Sequence, residues 1–204
     1  MLLFNAAMPA PNPRRVRIFL AEKGAAIPMR DVAIRSGEHK KPDYLAVNPL
    51  GQVPTLQLDD GRVLTESVAI CRYIEALHPD PPLFGVDAFN AADIDNWTRR
   101  VEFRLQRAVG MVWAHTHPLT AAVVKPQFKE FGETQRSQAI AYMRELDTAL
   151  ADRTWLDGQR YTIADIVLLT CLDFSSFIGL EPPAELTNLA AWRARASERP
   201  SAGA

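Results

Sequence analysis

The chain has 204 residues, 23% of them charged and 48% apolar, as expected for a folded protein of one large or two small domains. With 23 basic and 24 acidic residues the formal charge is -1, which argues against a nucleic-acid scaffold. No apolar run approaches the roughly 18 residues of a membrane span, and the Arg14-Arg15 pair follows the N-terminal apolar stretch, the reverse of a signal peptide.

In chain order, Leu2-Leu3-Phe4 is a short apolar run suited to a buried strand. Asn12 and Pro13 predict an N-cap followed by proline at the first helical position. Val16, Phe19 and Leu20 then recur at helical spacing until Gly24 stops the run. Pro28 to Ile34 predicts a second strand. Pro54 to Leu58 and Val63-Leu64 flank the turn Asp59-Asp60-Gly61 and predict a hairpin. Ser67 is expected to cap a helix carrying Val68, Ile70, Cys71, Ile74 and Leu77. The order β-α-β, connection, β-β-α is that of a thioredoxin-like domain.

From His78 to Gly85 the style changes. Pro79-Asp80-Pro81-Pro82 cannot continue a helix or a central strand and reads as a stiff linker. Ten of the 15 prolines precede Leu83 and all four tryptophans follow it, so two parts are expected. The second part is helical throughout. Ile94, Trp97, Val101, Leu105, Ala108 and Val112 step by three or four along an amphipathic helix. Tyr142, Met143, Leu146, Ala149 and Leu150 mark another. Ile163 to Ile178 is apolar nearly all round and belongs in a bundle core. Thr162-Ile163-Ala164-Asp165 resembles a capping box with Asp in place of the usual Glu, and Tyr161 and Ile166 are placed for a staple. Asp165 is therefore assigned to folding and not to acid catalysis. Cys71 and Cys171 lie far apart in apolar helical patterns and read as buried thiols of a reduced compartment, so a cytoplasmic protein is expected.

These parts and their motifs resemble the cytosolic glutathione transferases over essentially the whole chain. The carriers are Gly37-Glu38-His39-Lys40-Lys41-Pro42, Asn48-Pro49-Leu50-Gly51-Gln52-Val53-Pro54-Thr55-Leu56, Leu64-Thr65-Glu66-Ser67-Val68-Ala69-Ile70 and Thr162-Ile163-Ala164-Asp165. The start Pro11-Asn12-Pro13-Arg14-Arg15-Val16-Arg17-Ile18 looks most like bacterial members and the atypical fungal-type branch. The resemblance implies an α/β plus all-α fold. Residues 1–79 would form the thioredoxin-like glutathione-binding domain, 80–87 the linker, and 88–204 the all-helical domain contributing the electrophile site. It implies a cis bond at Val53-Pro54, with the Val53 backbone pairing glutathione as an added antiparallel strand; the plain alternative is a tight turn. It also implies the γ-glutamyl carboxylate at Ser67 and its ammonium at Glu66. The glycyl end would lie among His39, Lys40 and Gln52, although a Lys-rich loop is also simply well solvated.

The chain departs from that pattern where most members carry a Tyr, Ser or Cys. Here the loop reads Asn5-Ala6-Ala7-Met8-Pro9-Ala10-Pro11-Asn12-Pro13. The lack of Cys argues against thioltransferase chemistry and the isomerase branch. Asn12 is the local catalytic candidate, as an amide donor to the thiolate at a helix N-terminus; the alternative is a cap alone. Arg14 and Arg15 add positive charge nearby, and Arg17 is expected to face solvent. A water supported by His115 or His117 is another possible donor, although dipole pairing at the helix end or plain surface placement explains both histidines better. A His-x-His metal site lacks a third ligand at recognisable spacing, so no metal is expected. Met8, Pro9, Pro11, Met111, Val112 and Trp113 are candidate walls for a small hydrophobic electrophile, Met111 and Trp113 being at least as well suited to a core. The implied activity is thiolate transfer to that electrophile or hydroperoxide reduction, by a homodimer without nucleic-acid or membrane partners. The alternative is a glutathione-binding or dimeric scaffold protein with little turnover.

Overall fold

The computed structural model describes residues 1–7 and 10–204. Its contacts divide the chain into two units, Met1–Phe84 with Pro200–Ala204, and Gly85–Arg199. The first unit contains β1 (Leu2–Asn5), α1 (Pro11–Glu22), β2 (Met29–Asp31), α2 (Pro42–Leu45), β3 (Thr55–Gln57), β4 (Val63–Leu64) and α3 (Ser67–Leu77). The sheet order is β2-β1-β3-β4, with β1 parallel to β2 and the other pairs antiparallel. This is the thioredoxin-like arrangement expected from the sequence. Leu3, Val16, Phe19, Leu56, Ile70 and Ile74 are fully buried and form its apolar interior.

Three local readings change. The strand expected over Pro28–Ile34 is only Met29–Asp31, because the chain folds back on Glu38. That carboxylate accepts from Arg30 at 2.8 Å and from the Ala33 N–H at 2.7 Å, and Ile34–Ser36 forms a 3-10 turn. Helix α1 begins earlier than expected: Ala10 is the N-cap, Pro11 opens the first turn, and Asn12 lies inside it instead of capping. Ser67 is likewise the first residue of α3, and Glu66 holds the cap position without a side-chain capping bond.

A buried ion pair holds the segment that follows α3 within the first unit. The Lys23 side chain is fully buried, lies 2.5 Å from Glu75, and donates to the carbonyls of Pro79 and Pro81. Glu75 also accepts from the N–H groups of Leu83 and Phe84. A lysine buried this completely is retained only when paired and hydrogen-bonded. At the other terminus, Arg14 donates to the Ala202 carbonyl at 2.7 Å and Ser201 bonds Glu22, which seats the last residues on α1.

In the second unit, α4 (Ala88–Arg100) continues through a π-helical stretch, Val101–Gln106, into α5 (Arg107–Thr116). The expected stripe Ile94, Trp97, Val101, Leu105, Ala108 and Val112 is buried along its whole length. The remaining helices are α6 (Lys129–Ala149), α7 (Ile163–Phe177) and α8 (Thr187–Ser197). Helix α6 approaches α5 closely at Gly132, where a Cβ would lie 2.4 Å from Thr116 Cγ2. Ile163 to Leu172 is buried without interruption, as its all-round apolar pattern requires. The Thr162–Asp165 capping box is present, and Asp165 additionally accepts from the Leu156 N–H and Trp192 Nε1. Among the described residues no helix is long and apolar enough to cross a membrane.

Candidate active site

The strand registers assemble the site. Phe4 pairs with Thr55 and Leu56 pairs with Leu64, both antiparallel. Continued by a few residues, these registers bring Asn5–Ala6, Val53–Pro54 and Thr65–Ser67 to one end of the sheet.

The Val53–Pro54 bond is cis, as the resemblance implies. The preceding Gln52 carbonyl accepts from the Tyr44 hydroxyl at 2.6 Å, Asn48 Nδ2 at 2.9 Å and Thr55 Oγ1 at 3.1 Å. Asn48 Nδ2 also reaches Thr55 Oγ1 at 2.9 Å. Burial holds the Tyr44 phenol above its ordinary pKa, so it stays neutral and able to donate. This network engages the Gln52 carbonyl internally. Neither the N–H nor the C=O of Val53 has a partner among the described residues.

The loop carrying His39 and Lys40 is tied to the same segment. Lys40 Nζ donates to the Leu50 carbonyl at 3.1 Å. Gly51 has φ +58°, and a Cβ there would lie 2.7 Å from the His39 carbonyl and 2.8 Å from Lys40 Nζ. Only glycine permits this backbone and this approach together. His39 is half-buried with Nδ1 unpartnered among the described residues, and burial followed by the Lys40 charge lowers its pKa. Its imidazole is therefore neutral at neutral pH. Gln52 and Lys40 are exposed. Gly51→Ala is expected to displace the His39–Lys40 loop and, on the binding mode proposed below, weaken glutathione binding several-fold. Calorimetry on the folded variant checks this, and unchanged affinity would contradict it.

Glu66 and Ser67 occupy the β4–α3 junction. Glu66 is exposed and adopts φ 64° and ψ 115°, a conformation that costs a non-glycine residue about 1–3 kcal/mol. Ser67 is buried, and its Oγ accepts a 2.8 Å hydrogen bond from Arg15 Nη1. The first-turn N–H groups of α3 open at this point, where a helix favours an anion.

The arginines of α1 are held in place by burial and by defined partners. Arg14 and Arg15 are buried and donate to the Ala202 carbonyl and to Ser67 Oγ. Arg17 does not simply face solvent: it is half-buried and donates to Asn5 Oδ1 at 2.6 Å and to the Ala6 carbonyl at 2.9 Å. Asn5 in turn donates to Asp31 at 2.6 Å, which pins the end of β1 before the loop to α1. Half-buried Asn12 lies in the first turn of α1, and Met8 and Pro9 lie outside the described residues. Cys71 is buried, and burial pushes its thiol pKa strongly upward, away from reactivity.

In the second unit, Trp113 meets His117, Phe174 and Phe177 with ring centroids 4.3, 5.5 and 6.1 Å away. Phe177 is 44% exposed, and Met111 and Trp113 are half-buried, so these side chains can line a surface. Val112 cannot: it is fully buried and belongs to the core. His117 Nδ1 accepts from the Leu119 N–H and His115 Nδ1 from the Phe128 N–H, so both histidines serve the end of α5 and its following loop. No group of three metal-binding side chains occurs among the described residues.

Comparison with known proteins agrees with this architecture. Residues 10–77 match the family model for the glutathione S-transferase N-terminal domain, and 112–200 that for the C-terminal domain. Glutathione S-transferase 2 of Saccharomyces cerevisiae is 39% identical over 194 residues, covering 94% of this chain and 83% of that protein. The crystal structure of Gtt2 from Saccharomyces cerevisiae superposes with a TM-score of 0.92 at 36% identity, covering 100% of this chain and 99% of the other. A glutathione S-transferase domain-containing protein of Marinobacter aquaeolei gives 0.93 at 37% identity, with 98% and 99% covered. With both domain models matched in order and relatives aligned over nearly its full length, the chain belongs to the glutathione S-transferase family and is a glutathione transferase.

Proposed function

We propose that the first unit binds glutathione as a short antiparallel strand on the backbone of Val53. The γ-glutamyl carboxylate lies at Ser67 and the start of α3, its ammonium at Glu66, and the glycyl carboxylate among His39, Lys40 and Gln52. The observation that carries this reading is the pairing-ready backbone of Val53 beside the open first turn of α3 at one end of the sheet. Strand addition and helix-terminus capture are the modes that suit a tripeptide with terminal carboxylates. The strain at Glu66 supports a functional demand on that residue.

Thiol activation operates here without a Tyr, Ser or Cys in the β1–α1 loop. Asn12 donates its amide to the sulfur, and the N-terminus of α1 adds its positive end. The thiolate then attacks an electron-poor carbon. With an aryl halide such as a chloronitrobenzene, a carbon–sulfur bond forms, the carbon–halogen bond breaks with the halide taking the bonding pair, and the thiol proton passes to solvent. The helical unit supplies the hydrophobic electrophile surface, for which Met111 and Trp113 are suited. Hydroperoxide reduction would use the same thiolate. Assembly as a homodimer belongs to the same reading; light scattering should give the mass of two chains, and a monomer at micromolar concentration would remove it.

Asn12→Ala should lower turnover of a chloronitrobenzene with glutathione about tenfold without abolishing it. A neutral donor contributes about 0.5–1.5 kcal/mol net and a helix N-terminus about 0.3–1 kcal/mol, and the second survives the substitution. Unchanged turnover would remove Asn12 from the chemistry.

A further inference from the structure

The buried arginine behind Ser67 has a chemical consequence for that hydroxyl. Arg15 is 1% exposed and Ser67 is 5% exposed. Arg15 Nη1 donates to Ser67 Oγ at 2.8 Å across 52 residues of sequence, linking α1 to the first residue of α3. A guanidinium has five N–H donors and no acceptor. It therefore occupies a lone pair of the serine oxygen and can never receive the serine proton. The hydroxyl proton is left to be given elsewhere, and no described residue is bonded to it.

We propose that Arg15 is a positioning residue that makes Ser67 an obligate, polarised donor to the ligand's α-carboxylate; this rests on placing the γ-glutamyl carboxylate at Ser67. Two effects act together. The charge-assisted bond from Arg15 fixes the serine rotamer and polarises its O–H, since linked hydrogen bonds strengthen one another. A carboxylate oxygen bonded to Ser67 Oγ would also lie roughly 5 Å from the guanidinium, from two hydrogen-bond lengths in sequence. That cation is shielded from solvent on the protein side, so its attraction is weakly screened. Arg15 thus selects a negatively charged group over a neutral one without touching it. Nothing in the sequence distinguishes this arginine from Arg14 and Arg17, whose bonds go to backbone and sheet-end groups instead.

The test compares two ligands by calorimetry. One is glutathione; the other is 4-aminobutyryl-cysteinyl-glycine, the same tripeptide without its γ-glutamyl α-carboxylate. Arg15→Met should weaken glutathione about tenfold and leave the analogue unchanged, as expected for loss of one charge-assisted interaction. Arg15→Lys, which keeps the charge but not the guanidinium fork, should show a smaller loss, again for glutathione alone. If Arg15→Met does not fold, Arg15→Lys decides by the same comparison. Equal weakening of both ligands would reduce Arg15 to a packing role and overturn the proposal, as would no weakening of either. If the wild-type protein itself binds both ligands equally, the placement of the carboxylate at Ser67 fails instead.

Discussion

Asp165→Ala should destabilise the protein by about 4 kcal/mol and lower its Tm by about 10 °C. The carboxylate is fully buried and accepts from the Thr162 N–H at 3.0 Å, the Leu156 N–H at 3.0 Å and Trp192 Nε1 at 2.9 Å. Truncation removes the capping box and strands three buried donors at once, in a core where water cannot replace the lost acceptor. The ionised carboxylate is nevertheless not ideal there. Burial pushes the Asp165 pKa from 3.8 up to about 6, against the four hydrogen bonds that lower it. The folded state therefore binds the proton more tightly than the unfolded chain. The resulting stabilisation is fully present below the unfolded value near pH 3.8 and is lost as pH rises through about 6. Its size is about 3 kcal/mol. Urea unfolding of wild type and Asp165→Asn across this window measures it. The wild type should lose stability relative to the variant between pH 4 and pH 7; parallel curves would contradict the assignment.

Ser67→Ala and Glu66→Ala should each weaken glutathione tenfold or more, the equivalent of about 1.5–3 kcal/mol for a charge-assisted hydrogen bond. The two variants are expected to differ in stability. Ser67→Ala also deprives buried Arg15 of its hydroxyl partner, so the fold should lose about 1–2 kcal/mol. Glu66 is exposed and Ala inherits its unfavourable φ, so Glu66→Ala should leave stability nearly unchanged. Calorimetry on both folded proteins is the check, and unchanged affinity in both would mean that the γ-glutamyl pocket lies elsewhere.

Much of this architecture is legible in the sequence because it rests on periodicity and on local backbone chemistry. The Asp-Gly turn, the stripe from Ile94 to Val112 and the capping box at Thr162 are each short-range signals, and each forms as read. What escapes is decided by specific partners that leave no periodic signal. The difference between Arg14, Arg15 and Arg17 depends on Ala202 and Ser67, both far from α1 in sequence, and on the end of β1, which only the fold brings against Arg17. The early start of α1 at Pro11 reflects two closely spaced prolines, either of which suits a first turn, so Asn12 looks like a cap when it is not. Strand β2 shortens because Glu38, beyond its end, captures Arg30 and the Ala33 N–H. The network of Tyr44, Asn48 and Thr55 beneath Gln52 leaves no periodic trace at all, yet it holds the segment on which the proposed binding mode depends.

On the proposed mechanism the chain ionises glutathione without a hydroxyl or thiol in the β1–α1 loop. A free thiol of pKa roughly 8.5 is about 3% thiolate at pH 7, and lowering it by two units requires about 2.7 kcal/mol of preferential anion stabilisation. The ultraviolet thiolate absorbance of bound glutathione, titrated with pH, measures that shift directly. On this mechanism the bound thiol titrates about one to two units below the free value, with the curve displaced upward but still below the free value in Asn12→Ala. A bound thiol that titrates where free glutathione does would contradict it.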